Sequence, residues 1–305
     1  MRNGHWAVMT ALVLTPCVSA WAQQFPGDEA YRPWPCYSGP TIVPMTDPFQ
    51  DESGAVLERD LVGDLGAPAG LRAADRDFLY VRLRVDEDAA PGGIPAPFAW
   101  GLLLDVDGDL SAYDVMLLAD GGTGEVSIHR NTSGTPGDLR DPPDSPASSS
   151  YEWDLRARSV TAPGSSYGAT PDYFVDLAFS WPDLADVGID PTSLVRVWAA
   201  TSSTGTASAG MTGDFACRSG GAPSVDSAWP RTVPDPVSDS DGDGFSDATE
   251  VQSGTDPNDA ASRPTGGGEP RLAGGGGCHG GSAGIPALGV LLALALRARR
   301  RSSET

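Results

Sequence analysis

The stretch "DSDGDGFSDATE", residues 239 to 250, concentrates five carboxylates in 12 residues. Side-chain oxygens at alternating positions, followed by a distal acid, form the arrangement that surrounds a hard cation. Asp239, Asp241 and Asp243 fall at positions 1, 3 and 5 of a 12-residue calcium loop, and Gly244 supplies the sharp turn at 6. Phe245 offers its backbone carbonyl at 7, Asp247 stands at 9, directly or through water, and Glu250 at 12 is placed to bind bidentately. Without a cation these charges repel one another, so a solvated acidic linker is the weaker account. Calcium is the expected cofactor. A second set, Asp105, Asp107 and Asp109 in "DVDGD", has the same alternation around Gly108. It lacks a distal acid at the fixed offset, and Asp and Gly are equally favoured in a hairpin connection, so both readings stay open.

The elements around the first loop decide its type. Pro234 and Pro236 interrupt the approach and exclude the entering helix of a calcium sensor. A short exit helix fits from about Asp247 to Ser253, with Gly254 as its cap and Pro257 ending it. Taken whole, "DSDGDGFSDATEVQSGTDPND" resembles a bacterial thrombospondin type 3 repeat. The resemblance implies a loop, a short helix and a "GTDP" turn wrapped around calcium as a rigid spacer over residues 238–262. Relatives carry tandem arrays, in which Asp256, Asn258 and Asp259 would help a neighbouring site; this chain has a single copy.

Upstream, residues 23–225 suffice for one large core. Period-two runs recur in "FLYVRLRV" (78–85), "FAWGLLLDV" (98–106), "YDVMLLAD" (113–120), "EVSIHR" (125–130), "DYFVDLAFSW" (172–181) and "LVRVWAATS" (194–202). In the first, Tyr80, Arg82 and Arg84 face one way and Leu79, Val81, Leu83 and Val85 the other, as in a half-buried strand. Short strands separated by Gly, Pro, Asp and Ser clusters predict an all-β fold, an antiparallel β-sandwich. The order of these runs, with the landmark Phe179-Ser180-Trp181-Pro182-Asp183-Leu184, is similar to family-nine carbohydrate-binding modules and DOMON-type domains. That likeness implies a sandwich that binds an extracellular ligand, a glycan among the options. Trp153, in the polar segment "SSSYEWDLRARS", is the candidate for stacking on a sugar ring, whereas Trp100 and Trp198 read as core.

Composition narrows the partners. Between Gln23 and Cys278 lie 15 Arg, no Lys and 40 Asp plus Glu, a balance that repels phosphate backbones and argues against nucleic acid. Cys36 and Cys217 bracket the large domain and are expected to pair in an oxidising compartment, two buried thiols being the alternative. His129 is the one histidine between the terminal segments, and no Ser-His-Asp or Cys-His arrangement surrounds it in sequence. The chain is therefore not expected to be an enzyme. The alternative is a secreted carbohydrate-active enzyme that uses acids of the sandwich.

The termini suggest where the protein is sent. Arg2, the apolar run Ala7–Leu14 and the small-x-small site Ala20-Trp21-Ala22 read as a signal peptide over residues 1–22. A Pro-rich linker is expected over 226–237 and a Gly-rich linker over 263–277. The segment 278–305 follows, with Cys278, an apolar run from Ile285 to Leu296 and then Arg297, Arg299, Arg300 and Arg301. The apolar run is shorter than the ~20 residues of a comfortable transmembrane helix. The order of elements resembles the MYXO-CTERM sorting signal. It implies contact with the membrane only through this segment, removal by a sorting protease and display at the cell surface; a retained short anchor is the other reading. Intact-mass analysis of the exported protein is expected to place its ends at Gln23 and at or near Cys278. A mass that keeps the arginine tail would overturn the sorting reading.

Overall fold

The computed structural model describes residues 23–264 apart from 39–40, 52–55, 205–209, 220 and 226. The signal segment, the sorting segment with Cys278 and most of the Gly-rich linker lie outside the described residues. In chain order the strands are β1 (Arg32–Pro33), β2 (Pro35–Ser38), β3 (Thr41–Pro44), β4 (Gly70–Ala74), β5 (Phe78–Val85) and β6 (Ala99–Asp105). They continue with β7 (Val115–Asp120), β8 (Glu125–Arg130), β9 (Ser149–Glu152), β10 (Ala157–Thr161), β11 (Tyr173–Ser180) and β12 (Arg196–Ser202). The helices are short: α1 (Trp153–Arg156), α2 (Trp181–Ala185) and α3 (Asp247–Ser253).

The strands form two five-stranded antiparallel sheets, ordered β1-β4-β5-β11-β10 and β12-β6-β7-β8-β9, with β2 and β3 as a separate hairpin. Alternation explains how they face each other. Leu79, Val81, Leu83 and Val85 of β5 and Val175, Leu177 and Phe179 of β11 meet Trp100, Leu102 and Leu104 of β6 and Val115, Leu117 and Ala119 of β7 in one core. The expected antiparallel β-sandwich is the fold observed.

The second sheet is apolar on its other face too. Ala99, Leu103, Met116, Leu118, Trp198 and Ala200 are buried there beneath Cys36, Tyr113, Leu139, Met211, Phe215 and Trp229. This second layer explains why β6 and β7 read as nearly continuous apolar runs. It also absorbs the stretch expected as a Pro-rich linker. Thr232 pairs with Val195, Trp229 Nε1 donates to the Val197 carbonyl at 2.9 Å, and Val233 is fully buried. Residues 229–235 are therefore part of the sandwich, and only Pro236–Ser238 separate them from the acidic loop. The cover is fastened by the Cys36–Cys217 disulfide, which spans 181 residues and in the chain-entropy account contributes up to about 5 kcal/mol.

The outer face of β5 departs from the half-buried reading, since Tyr80, Arg82 and Arg84 are all buried. Residues 25–31 lie over this face, with Phe25, Ala30 and Tyr31 packed with Tyr80, Ala73 and Ala178. The Arg82 guanidinium sits 3.8 Å from the Tyr31 ring centre and 4.3 Å from that of Phe174. It donates to both carboxylate oxygens of Asp176 at 2.6 and 2.9 Å, and to Asp28 at 2.6 Å. A planar fork stacked between rings can be buried where an ammonium group cannot, so arginine occupies a strand face normally left to solvent. Arg72 is buried over Trp34 and donates to the Pro33 carbonyl and Thr232 Oγ1.

Trp153 also differs from expectation. It is 5 % exposed and meets Trp100 edge-on, with ring centres 5.7 Å apart. Strand β9 ends the second sheet and β10 begins in the first, so α1 crosses between sheets and carries Trp153 into the core. The polar residues before it belong to an edge strand with alternating exposure. Trp153 is therefore not a surface platform for a sugar. Among the described residues the large exposed apolar side chains are Ile42, Leu65, Ile94, Leu194 and Val237, none of them aromatic.

Replacing Asp176 by Ala would leave the Arg82 charge buried with only the exposed Asp28 as partner. Urea unfolding is expected to show a loss of about 3–5 kcal/mol. A loss below roughly 1 kcal/mol, the range of surface ion pairs, would show that Asp28 and the flanking rings suffice.

Candidate metal centre

The acidic loop follows the sandwich without an entering helix, as its prolines require. Gly244 adopts φ 95°, which makes the tight turn, and Gly242 adopts φ 73° beside it. Helix α3 opens at Ser246, whose hydroxyl accepts from Thr249 N, and closes at Gly254 in the left-handed conformation. The exit helix therefore has the bounds read from the sequence.

The hydrogen bonds leave a defined set of oxygens inside the loop. Asp239 accepts from Gly242 N at 2.9 Å and from Gly244 N at 3.0 Å. Asp241 Oδ1 accepts from Asp243 N, and Asp243 Oδ1 from Phe245 N. Their Oδ2 atoms are buried and receive no hydrogen bond. One oxygen each of Asp239, Asp241 and Asp243 lie within 4.8 Å of one another, a span that a calcium ion bridges with ligands about 2.4 Å away. Glu250, in the first turn of α3, is fully buried, and neither of its carboxylate oxygens has a hydrogen-bond partner. Asp247 behaves differently: Ser240 N and Oγ donate to its two oxygens at 2.8 and 2.7 Å, which ties the loop to the start of the helix. Arg263 Nε stands 3.1 Å from Asp243 Oδ2 and donates to the Ala260 carbonyl.

Residues 239–260 match the bacterial TSP3 repeat family. That segment is a bacterial TSP3 repeat. No curated protein and no solved structure shows significant similarity to the chain. The repeat family is calcium-binding, and its presence points to an extracellular or surface protein. Among the described residues no helix is long and apolar enough to cross a membrane.

The repeat's oxygens fit such an ion by their chemistry. A buried bidentate carboxylate without a donor is costly unless a cation faces it. The acids Asp256 and Asp259, beyond the helix, accept from Asn258 N and Ala261 N and cap turns.

The "DVDGD" loop is satisfied by protein groups. Asp105 pairs with Arg196 Nη1 at 2.7 Å and accepts from Gly108 N, while Asp109 accepts from Ser111 N. Asp114, rather than Asp109, shares the 4.8 Å neighbourhood of Asp105 and Asp107. Asp114 Oδ2 accepts from Val106 N and Asp107 N, as in a turn held by side-chain caps. His129 is buried in β8, with Nδ1 3.1 Å from the Asp144 carbonyl and Nε2 2.9 Å from Ser127 Oγ. If Nδ1 donates to that carbonyl, Nε2 accepts from the serine hydroxyl.

A third acidic group has no counterpart in the sequence reading. Asp47, Asp51 and Asp214 bring one oxygen each within 4.8 Å of the others, inside the sandwich. No local spacing announces it, because Asp214 arrives from the far end of the domain.

Burial, followed by the charges of Asp241, Asp243, Asp247 and Asp239, pushes the Glu250 carboxyl up to about 7 in the cation-free repeat. The folded protein then keeps a proton that the unfolded chain releases near pH 4.5. More protons on the folded state mean that stability falls as the pH rises from about 4.5 to 7. A calcium ion held by Glu250 would replace that proton and reverse the loss. Thermal melts with and without calcium are expected to diverge progressively across this window, and Glu250→Gln is expected to remove the divergence contributed by the repeat. A calcium effect independent of pH between 5 and 8 would contradict this assignment.

Proposed function

We propose that this chain is an exported, surface-displayed binding or structural protein whose β-sandwich is held on a short calcium-stiffened stalk. The observation that carries the reading is the buried Glu250 carboxylate, which has no hydrogen-bond partner and feels the charges of Asp241 and Asp243 in a TSP3 repeat. The short connection supports it: Thr232 is paired into the sandwich, and Asp247 N donates to the Ser238 carbonyl at 2.8 Å. With calcium in place, the loop becomes a rigid extension of the domain. The disulfide suits an oxidising compartment, and the C-terminal sorting segment would provide the route to the surface. The sandwich would act by presenting its surface to an extracellular partner rather than by catalysis, with a glycan as the ligand class that its resemblance suggests.

Calorimetry of the full chain tests the metal role. Asp239→Ala and Glu250→Ala are each expected to abolish one calcium-binding event or to weaken it by roughly tenfold or more. Unchanged binding in both variants would remove calcium from the repeat, and the stalk with it.

A further inference from the structure

The group at Asp47, Asp51 and Asp214 differs from an ordinary acidic surface because it is enclosed. Asp47 is 1 % exposed, and neither of its carboxylate oxygens accepts from an N–H or hydroxyl group; the acid within reach of it is Asp214. Asp60, whose charge acts on Asp47, is fully buried, with Oδ2 accepting from Gln50 N at 2.9 Å and Oδ1 without a partner. Asp214 is aimed by the backbone: Leu61 N donates to Oδ2 at 2.7 Å and Phe215 N to Oδ1 at 2.8 Å. Asp51 closes the group from a half-buried position. The guanidinium of Arg59 packs beside Gly213 and over the Phe98 ring.

We propose that Asp47, Asp51, Asp60 and Asp214 form a second calcium site, inside the sandwich and separate from the repeat. The donors are all carboxylate oxygens, with no imidazole or thiolate among them, which selects a hard cation over zinc or copper. Carboxylates drawn from irregular segments suit the flexible coordination of calcium better than the strict octahedron of magnesium. The group joins two stretches that are distant in sequence, residues 47–60 and Asp214. Asp47 exchanges backbone hydrogen bonds with Gly63, and Cys217 N donates to the Thr46 carbonyl at 2.6 Å. The ion would thus fasten the same two ends of the domain as the Cys36–Cys217 bond. This inference does not depend on calcium in the repeat.

The full chain carrying Glu250→Ala is titrated with calcium by calorimetry and melted at increasing calcium concentration. One calcium is expected to bind this variant still, with a Tm that rises as calcium is added. Adding Asp47→Asn or Asp51→Asn is expected to weaken that binding by roughly tenfold or more, with the near-ultraviolet circular dichroism of the parent retained. If Asp47→Asn disturbs the fold, the half-buried Asp51→Asn decides alone. No calcium binding by Glu250→Ala would overturn the proposal and leave the four acids as a proton-sharing group. Residual binding indifferent to Asp51→Asn would overturn it too, and tighter binding of magnesium would overturn the choice of ion. Equal binding of one calcium by the parent and Glu250→Ala, lost on Asp51→Asn, would uphold this site while removing the repeat's.

Discussion

The second sheet of this sandwich is apolar on both faces, and covering the face turned away from the first sheet shapes the rest of the molecule. Burying Leu103, Met116, Leu118 and Trp198 requires a layer that the two sheets cannot supply. The chain builds it from its ends: the β2–β3 hairpin from one side and residues 210–233 from the other. Neither segment has enough regular structure to stand by itself. The Cys36–Cys217 bond joins them, and Trp229, Thr232 and Val233 lock the exit against β12. The acidic repeat can begin almost at once because its upstream neighbours are already fixed in the cover.

An acidic chain that buries so much of itself must neutralise its carboxylates, and it does so in three ways. Asp176 and Asp105 meet arginines inside the protein, where a stacked or bidentate guanidinium offsets the loss of water. Asp75, Asp114 and Asp120 accept backbone N–H groups and serve as turn caps. The third group, Glu250 with Asp241 in the repeat and Asp47 with Asp60 in the sandwich, retains oxygens that accept no N–H or hydroxyl hydrogen bond. These are the positions whose chemistry suits a cation. The lack of lysine is consistent with this division, because the interior positions demand a planar, stackable cation.

Much of this was legible in the sequence. Period-two runs identify the strands because the inward-facing residues alternate, and the acid spacing together with Pro234, Pro236 and Gly254 specifies a loop with an exit helix only. These signals are local: each depends on residues a few positions apart and on backbone preferences that tertiary contacts do not reverse. Where the reading went astray, a nonlocal partner intervened. Arg82 and Arg84 look like a solvent face until residues 25–31 fold over Arg82 and the Pro68 carbonyl and Phe174 ring meet Arg84, and Trp153 looks exposed until α1 carries it between the sheets.

The sequence by itself determined the sandwich class, the calcium loop and the residues available for a disulfide. Only the tertiary structure decided that 229–235 belongs to the core, that Asp114 rather than Asp109 joins Asp105 and Asp107, and that Asp47, Asp51 and Asp214 converge. A loop whose ligands are contiguous encodes its geometry in spacing. A site completed by a residue from the far end of the domain has no spacing to read, because only chain closure brings its oxygens together.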